Sequence, residues 1–181
     1  LQELHLSRNK ISCLRADAFN GLANLKSLHL DLNLLEKLDV NLFKGLAKLE
    51  SLDLSSNDLT AFVDDNFRHL TNLGCLMLTA NRLETIEERN VFKSLSKLRF
   101  LHLNNNRLNR LHDDLFKTLP CLFHLDLSQN SFYMFNTNMI KTLMSLEQLN
   151  ICSNKLTYLT FNLNEVNQMT MNNFRLLDLS H

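Results

Sequence analysis

The fold is decided by the stretch LRFLHLNNNRLNRLHDDLFKTLPC, which occupies residues 98–121. Its apolar residues and one asparagine stand at fixed offsets: Leu98, Leu101, Leu103, Asn106, Leu108, Leu111, Phe116 and Leu119. The same spacing begins again at Leu122, and self-similarity at a period of about 20–29 residues indicates a solenoid. Because one such unit cannot bury its own apolar edge, neighbouring coils must stack to form a continuous core.

Outward from this stretch, the chain divides into seven full units and the start of an eighth. The units open at Leu1, Leu25, Leu49, Leu73, Leu98, Leu122, Leu146 and Phe174. The seventh unit loses the pattern after Leu159, and there we expect a longer convex loop with Val166 and Met169 pointing inward. No terminal cap is evident, so we expect residues 1–181 to be a single uncapped array and a fragment of a longer protein.

The two halves of each unit predict different local structure. In the first half, inward leucines alternate with outward polar residues, which predicts a short parallel strand. The second half, such as HDDLFKTL at residues 112–119, lacks that alternation. We therefore predict an α/β solenoid, a curved array with a parallel β-sheet on its concave face and turns or short 3₁₀ or helical segments on its convex face.

Two recurring residue types are expected to connect the coils. Each strand is followed by an asparagine whose amide can satisfy buried peptide groups of the turn; these are Asn9, Asn33, Asn57, Asn81, Asn106, Asn130 and Asn154. A phenylalanine in each of the first five units predicts an aromatic spine on the convex side, formed by Phe19, Phe43, Phe67, Phe92 and Phe116, with Ile140 in the sixth unit.

The pattern L-x-x-L-x-L-x-x-N-x-L-x-x-L-x-x-x-x-F-x-x-L resembles the "typical" class of leucine-rich repeat, with about 24 residues per unit. That class occurs mainly in extracellular and cell-surface proteins. Uneven unit lengths, together with an array that we expect to continue past both ends, make the chain most similar to Toll-like receptor ectodomains. The resemblance implies a ligand-recognition segment on the extracellular or endosomal-lumenal side of a membrane. The innate immune receptor to which the segment would belong signals by dimerising.

Other functions stay open beside this one. An extracellular adhesion or matrix protein and an antigen binder like the variable lymphocyte receptors share the repeat class. The four cysteines, Cys13, Cys75, Cys121 and Cys152, are expected to be free thiols, and the sequence contains no N-x-[ST] glycosylation acceptor. Both features favour a third alternative, an intracellular scaffold. Any contact with a membrane would be made by a transmembrane segment outside these residues.

The candidate binding site lies on the concave sheet, where outward apolar residues stand out among polar ones. Met77 and Phe100 lie on adjacent predicted strands, next to Cys75, and Phe123 extends them. Such a contiguous apolar patch indicates an interaction surface. We predict that it binds a protein or microbial ligand, with a polar rim formed by His102, Asn104, His124 and Asp126.

Catalytic, metal and nucleic-acid functions find little support. The chain has no Gly-rich phosphate loop, H-E-x-x-H, C-x-x-C or G-x-S-x-G motif, so we predict no enzyme and no cofactor. We predict no metal site, because Cys75, His102 and His124 lie on three strands with Phe100 between them. Basic and acidic residues balance at 19 each, although Arg82, Arg107 and Arg110 form a modest basic edge.

Two charge patterns complete the predictions. His29 opposes Asp53 and His102 opposes Asp126 on adjacent strands, and a nearby carboxylate favours the imidazolium. Acid would therefore charge these histidines readily and alter binding. A convex acidic stripe is expected to cap helical turns; it consists of Asp64, Asp65, Glu87, Glu88, Asp113 and Asp114.

Overall fold

The computed structural model describes residues 1–160 and 176–178. The described strands are β1 Glu3–His5, β2 Ser27–His29, β3 Ser51–Asp53, β4 Cys75–Met77, β5 Thr85–Ile86, β6 Phe100–His102, β7 Arg110–Leu111, β8 His124–Asp126, β9 Met134–Asn136, β10 Gln148–Asn150, β11 Tyr158–Thr160 and β12 Leu176–Asp178. A short 3₁₀ helix spans Thr137–Met139. Val166 and Met169, predicted to point inward, lie outside the described residues.

Eight of these strands form one parallel sheet, in the order β1-β2-β3-β4-β6-β8-β10-β12. Neighbouring strands pair without a register shift, so equivalent positions of successive coils lie side by side. The central leucine of each of β2, β3, β4, β6 and β8 is fully buried, whereas its two neighbours are half-buried on the outer face. This alternation confirms the predicted parallel-sheet solenoid and leaves one face of the sheet open to a partner.

The predicted asparagine ladder is confirmed from Asn33 to Asn154, whereas the prediction is wrong for Asn9, which is exposed and bonds to the Leu6 and Ser7 carbonyls of its own coil. The Asn106 Oδ1 accepts a hydrogen bond from the Leu83 N–H at 3.1 Å. The Asn106 Nδ2 donates to the Leu78 carbonyl at 2.9 Å and to the Leu103 carbonyl at 3.1 Å. The same set of bonds recurs at Asn33, Asn57, Asn81, Asn130 and Asn154. Each of these asparagines therefore connects its own coil to the preceding one.

The residue before every predicted ladder asparagine has a left-handed backbone conformation, which the sequence analysis did not predict. The residues with this conformation are Arg8, Leu32, Ser56, Ala80, Asn105, Gln129 and Ser153, with φ between 52° and 57°. Such a conformation costs an L-residue about 1–2 kcal/mol. Hydrogen bonds between coils hold it in place, since the Ser56 N–H donates to the Thr79 carbonyl at 2.8 Å.

The phenylalanine spine is buried as predicted, and Ile140 continues it. Ring contacts connect three consecutive members: the centroids of Phe43 and Phe67 lie 6.1 Å apart, and those of Phe67 and Phe92 lie 6.0 Å apart. Phe62 adds an edge contact to Phe67 at 5.3 Å. Aromatic packing of this kind fills the space between coils on the side away from the sheet.

The convex side consists of hydrogen-bonded turns, and the described residues contain no α-helix. Successive i→i+3 bonds, such as Leu22 N–H to Phe19 carbonyl and Leu25 N–H to Leu22 carbonyl, close each turn before a longer helix can form. The acidic residues of this side therefore have no α-helix to cap. Asp64 instead accepts hydrogen bonds from Asn90 in the next coil, at 3.2 and 3.0 Å.

The ladder predicts a large stability difference between two exchanges of asparagine for alanine. Asn106→Ala removes the partners of three buried backbone groups, each of which costs about 1–3 kcal/mol when left unsatisfied. We expect the free energy of unfolding to fall by at least about 3 kcal/mol, measured by urea denaturation.

The matched control is Asn109→Ala, because Asn109 is exposed and its replacement should change stability by less than about 0.5 kcal/mol. Equal losses for the two variants would contradict a structural role of the ladder amide.

Candidate functional site

The structure brings the six predicted site residues together on the concave sheet. Met77 pairs in register with His102, and His102 pairs with Asp126. Phe100 pairs with Cys75 on one side and with His124 on the other. Asn104 follows β6 and accepts a hydrogen bond from the Thr79 hydroxyl at 2.8 Å. All six side chains are half-buried, so they form one continuous surface over β4, β6 and β8.

The apolar end of this surface contains two aromatic rings and an arginine. The ring centroids of Phe100 and Phe123 lie 5.9 Å apart. The Arg99 guanidinium carbon lies 5.6 Å from the Phe100 centroid and 5.9 Å from the Phe123 centroid. Sequence reasoning did not include Arg99, although Arg99 and Phe123 hold the same position in successive units. The cation restrains both rings through cation–π contact and extends the site beyond the sheet.

The polar end is a histidine pair supported by its neighbours. The ring centroids of His102 and His124 lie 5.0 Å apart. The His124 Nδ1 lies 2.8 Å from the Gln148 Oε1, and Gln148 was another residue that sequence reasoning did not single out. The Asp126 Oδ1 accepts hydrogen bonds from the Ser128 N–H at 2.9 Å and the Ser128 hydroxyl at 2.6 Å. The side chains at this end are therefore held in defined orientations.

The predicted acid response of His102 is wrong in direction. Burial, followed by the neighbouring His124, lowers the pKa of His102 below its ordinary value, and the opposing effects of Asp126 and Asp53 are weaker. Desolvation outweighs the carboxylate because the imidazolium loses water that Asp126 does not replace. In the other predicted pair, His29 stacks on His5 with ring centroids 4.5 Å apart and has its Nε2 3.4 Å from Glu3 Oε1.

The basic edge is largely neutralised within the array. Arg82 forms an ion pair with Asp58 at 2.7 Å, and Arg110 forms one with Glu87 of the acidic stripe at 3.3 Å. Both arginines already have carboxylate partners, so a polyanion would compete with these ion pairs.

A second candidate surface lies on the flank of the array. A cavity of about 480 Å³ is lined by Leu111, Phe132, Tyr133, Met134 and other residues of the fifth and sixth units. Tyr133 is 58% exposed and Met134 is 47% exposed, and Tyr158, which is 69% exposed, pairs with Met134 in register. Large apolar side chains with this exposure on adjacent coils also indicate an interaction surface.

The comparisons with known proteins agree with this architecture. The family model for leucine-rich repeats matches residues 1–59, 71–132 and 96–156. The chain belongs to the leucine-rich repeat family. No curated protein matches it in sequence. Within residues 1–160 and 176–178, no helix has the length and apolar character needed to cross a membrane.

Two solved structures place this repeat array beside Toll-type ectodomains. A Toll–Spatzle complex, described as a molecular hub in Drosophila development and innate immunity, matches with a TM-score of 0.82 and 28% identity, over 94% of this chain and 23% of that chain. A TLR13–ssRNA13 complex matches with a TM-score of 0.75 and 28% identity, over 87% of this chain and 24% of that one. The array thus spans about a quarter of these relatives.

The four cysteines are free, and Cys75 differs from the others in its surroundings. Burial and then the charge of Asp53 raise the pKa of the Cys75 thiol, so less thiolate forms at a given pH. We expect alkylation of Cys75 by iodoacetamide to lag behind that of the exposed Cys13 and Cys121 and to become fast only at a higher pH than an ordinary thiol requires.

Mass spectrometry of each cysteine over a pH series measures this profile. Asp53→Asn is the informative variant, since it removes one of the two causes and should move the Cys75 midpoint to lower pH. A wild-type midpoint at or below the ordinary thiol value would contradict the prediction.

Proposed function

We propose that the chain is a ligand-recognition segment of a Toll-like innate immune receptor ectodomain and binds its partner through the concave patch. The patch comprises Met77, Phe100, His102, Asn104, His124 and Asp126. The observation that supports it most is the contiguity of these residues over three neighbouring strands. The two structural relatives are complexes in which Toll-type arrays hold a protein or an RNA.

Charge favours a protein over a nucleic acid. The chain has no net charge, and Arg82 and Arg110 are engaged in ion pairs. The patch is built from a phenylalanine, a methionine, two histidines, an amide and a carboxylate, and Phe123 and Arg99 adjoin its apolar end. Aromatic and methionine side chains with a polar rim are the usual composition of a protein-binding surface.

The proposal has further parts that concern the whole protein. Residues 1–181 are a single uncapped array with units opening at the eight positions given above, and they form part of a longer ectodomain. The array lies on the extracellular or endosomal-lumenal side of a membrane receptor that signals by dimerising. Coverage of 23% and 24% of the related chains supports a segment of a larger protein.

The flank cavity supports a second candidate function. Tyr133, Met134 and Tyr158 are more exposed than the apolar residues of the concave patch, which are half-buried. An extracellular adhesion or matrix protein, or an antigen binder like the variable lymphocyte receptors, could hold its partner there without signalling. The two surfaces lie on different sides of the coils, so substitutions distinguish them.

Binding measurements with paired variants test the proposal. The full chain is immobilised and exposed to Spatzle, to a panel of other secreted proteins and to single-stranded RNA. We expect a protein from the panel to bind and the RNA to bind at least tenfold more weakly than that protein, which is about 1.4 kcal/mol. The Met77→Ala/Phe100→Ala variant should weaken protein binding by more than about tenfold, because such central side chains contribute most of the energy of an interface.

The control variant is Leu34→Ala/Val63→Ala, which removes exposed apolar side chains outside the patch and should leave affinity unchanged. The flank variant is Tyr133→Ser/Tyr158→Ser. Loss of binding in the flank variant, with full binding in a folded Met77→Ala/Phe100→Ala chain, would assign recognition to the flank instead. Failure of every probe to bind would contradict the recognition function.

A further inference from the structure

Three potential metal ligands converge at the polar end of the concave patch. His102 lies on β6, and His124 and Asp126 lie two residues apart on β8, so all three side chains leave the same face of the sheet. One ligand atom from each lies within 4.8 Å of the other two. Ligands of a single tetrahedral zinc ion lie about 3.4 Å apart, given metal–ligand bonds of about 2.0–2.2 Å. Small side-chain rotations therefore bring the three atoms to binding distance.

The neighbours of His124 prepare it to bind a cation. Its Nδ1 lies 2.8 Å from the side-chain oxygen of Gln148. That oxygen can only accept a hydrogen bond, so this contact favours the neutral tautomer that has its proton on Nδ1 and a lone pair on Nε2. A hydrogen bond from the second ring nitrogen to an oxygen acceptor is the usual support of a metal-bound histidine. Gln148 thus fixes both the tautomer and the direction of the free nitrogen.

Asp126 is oriented in a similar way. Its Oδ1 accepts hydrogen bonds from both the backbone N–H and the hydroxyl of Ser128. These two bonds hold the carboxylate plane and leave Oδ2 outside the Ser128 contact. A ligating carboxylate that is itself hydrogen-bonded is a common feature of metal centres. Two of the three candidate ligands therefore have supporting contacts that are already formed.

We propose that His102, His124 and Asp126 bind a zinc-class divalent cation. Imidazole nitrogen and carboxylate oxygen are the donors that Zn²⁺ accepts in sites with three protein ligands and an open fourth position. The site faces the concave surface, so the fourth position is open to water or to a donor atom from a bound partner. Cys75, which the sequence analysis considered with these histidines, pairs with Phe100 and is not part of the ligand set.

This site does not depend on the proposed receptor function, because it binds a metal ion without a partner. Other groups of potential ligands among the described residues are Glu3 with His5 and His29, and His29 with Asp31 and Asp53. Both include His29, so the single substitution His29→Gln disables them together. The first is also more exposed, with Glu3 and His5 open to solvent. A His29→Gln chain therefore isolates the proposed site.

Zinc titration of the full chain in the His29→Gln background tests the proposal. Isothermal titration calorimetry with zinc chloride should give one ion per chain, and zinc should raise the melting temperature because it binds the folded state. Adding His102→Ala or His124→Ala should abolish that binding. Cobalt in place of zinc should show the visible absorption of a tetrahedral ion without a thiolate charge-transfer band, since no cysteine is a ligand.

Gln148 acts as a positioning residue, and its variants give an independent readout. Gln148→Ala should weaken zinc binding by about 10- to 100-fold, whereas Gln148→Glu, which keeps an acceptor for the Nδ1–H, should restore it. His69→Ala is the matched control, because His69 belongs to none of the groups and its loss should leave zinc binding unchanged.

Circular dichroism establishes that each variant is folded before it is titrated. Absence of zinc binding in the His29→Gln chain would overturn the proposal. Equal zinc binding after His124→Ala in a folded chain would overturn it as well. Neither result would affect the partner measurements, which use the Met77→Ala/Phe100→Ala variant.

Discussion

Buried asparagine side chains satisfy the backbone at the point where each strand turns into the body of the array. The turn places peptide groups away from water, and an unpaired buried amide or carbonyl is costly. Asn57 illustrates the solution: its Oδ1 accepts from the Leu35 N–H, and its Nδ2 donates to the carbonyls of Leu30 and Leu54. The coil spacing, the in-register sheet and the left-handed residue before each asparagine all depend on this arrangement.

Because the leucine, asparagine and phenylalanine positions are committed to packing, chemical variety is confined to the outer positions of the strands. In-register pairing then makes residues that are about 24 positions apart in sequence into direct neighbours. This explains why His102, His124 and Asp126 meet on one surface, and why Phe100 contacts both Phe123 and His124. A partner that binds the concave face of such an array would therefore contact columns of residues from several neighbouring units.

Features that repeat in every unit could be predicted from the sequence. Properties that depend on the contacts of one particular side chain could not. The period was enough to place the strands of the eight-stranded sheet, the asparagine ladder from Asn33 onward and the phenylalanine spine, but not the short strands β5, β7, β9 and β11. It could not predict the left-handed residues, because Arg8, Leu32 and Ala80 share no side-chain chemistry and only the path of the backbone unites them. The direction of the His102 pKa shift could not be predicted from the period either, because the period shows that His102 is adjacent to Asp126 but does not show how deeply His102 is buried. Arg99 and Gln148 were missed because their importance comes from contacts across coils.

The ladder bonds between coils run in one direction along the array, since each asparagine from Asn33 to Asn154 bonds to the coil before it. Asn33 serves the Ile11 N–H and the Leu6 carbonyl of the first coil, whereas Asn9 bonds to the carbonyls of Leu6 and Ser7 in its own coil. The two ends of any stack of such coils are therefore chemically unequal. Removing a coil from the C-terminal side strands a backbone donor and an acceptor in the coil left behind. Removing one from the N-terminal side frees the amide side chain of the next asparagine and also backbone donors such as the Lys26 and Leu34 N–H, which pair with the Gln2 and Ile11 carbonyls of the first coil, so the two ends expose different sets of unpaired groups.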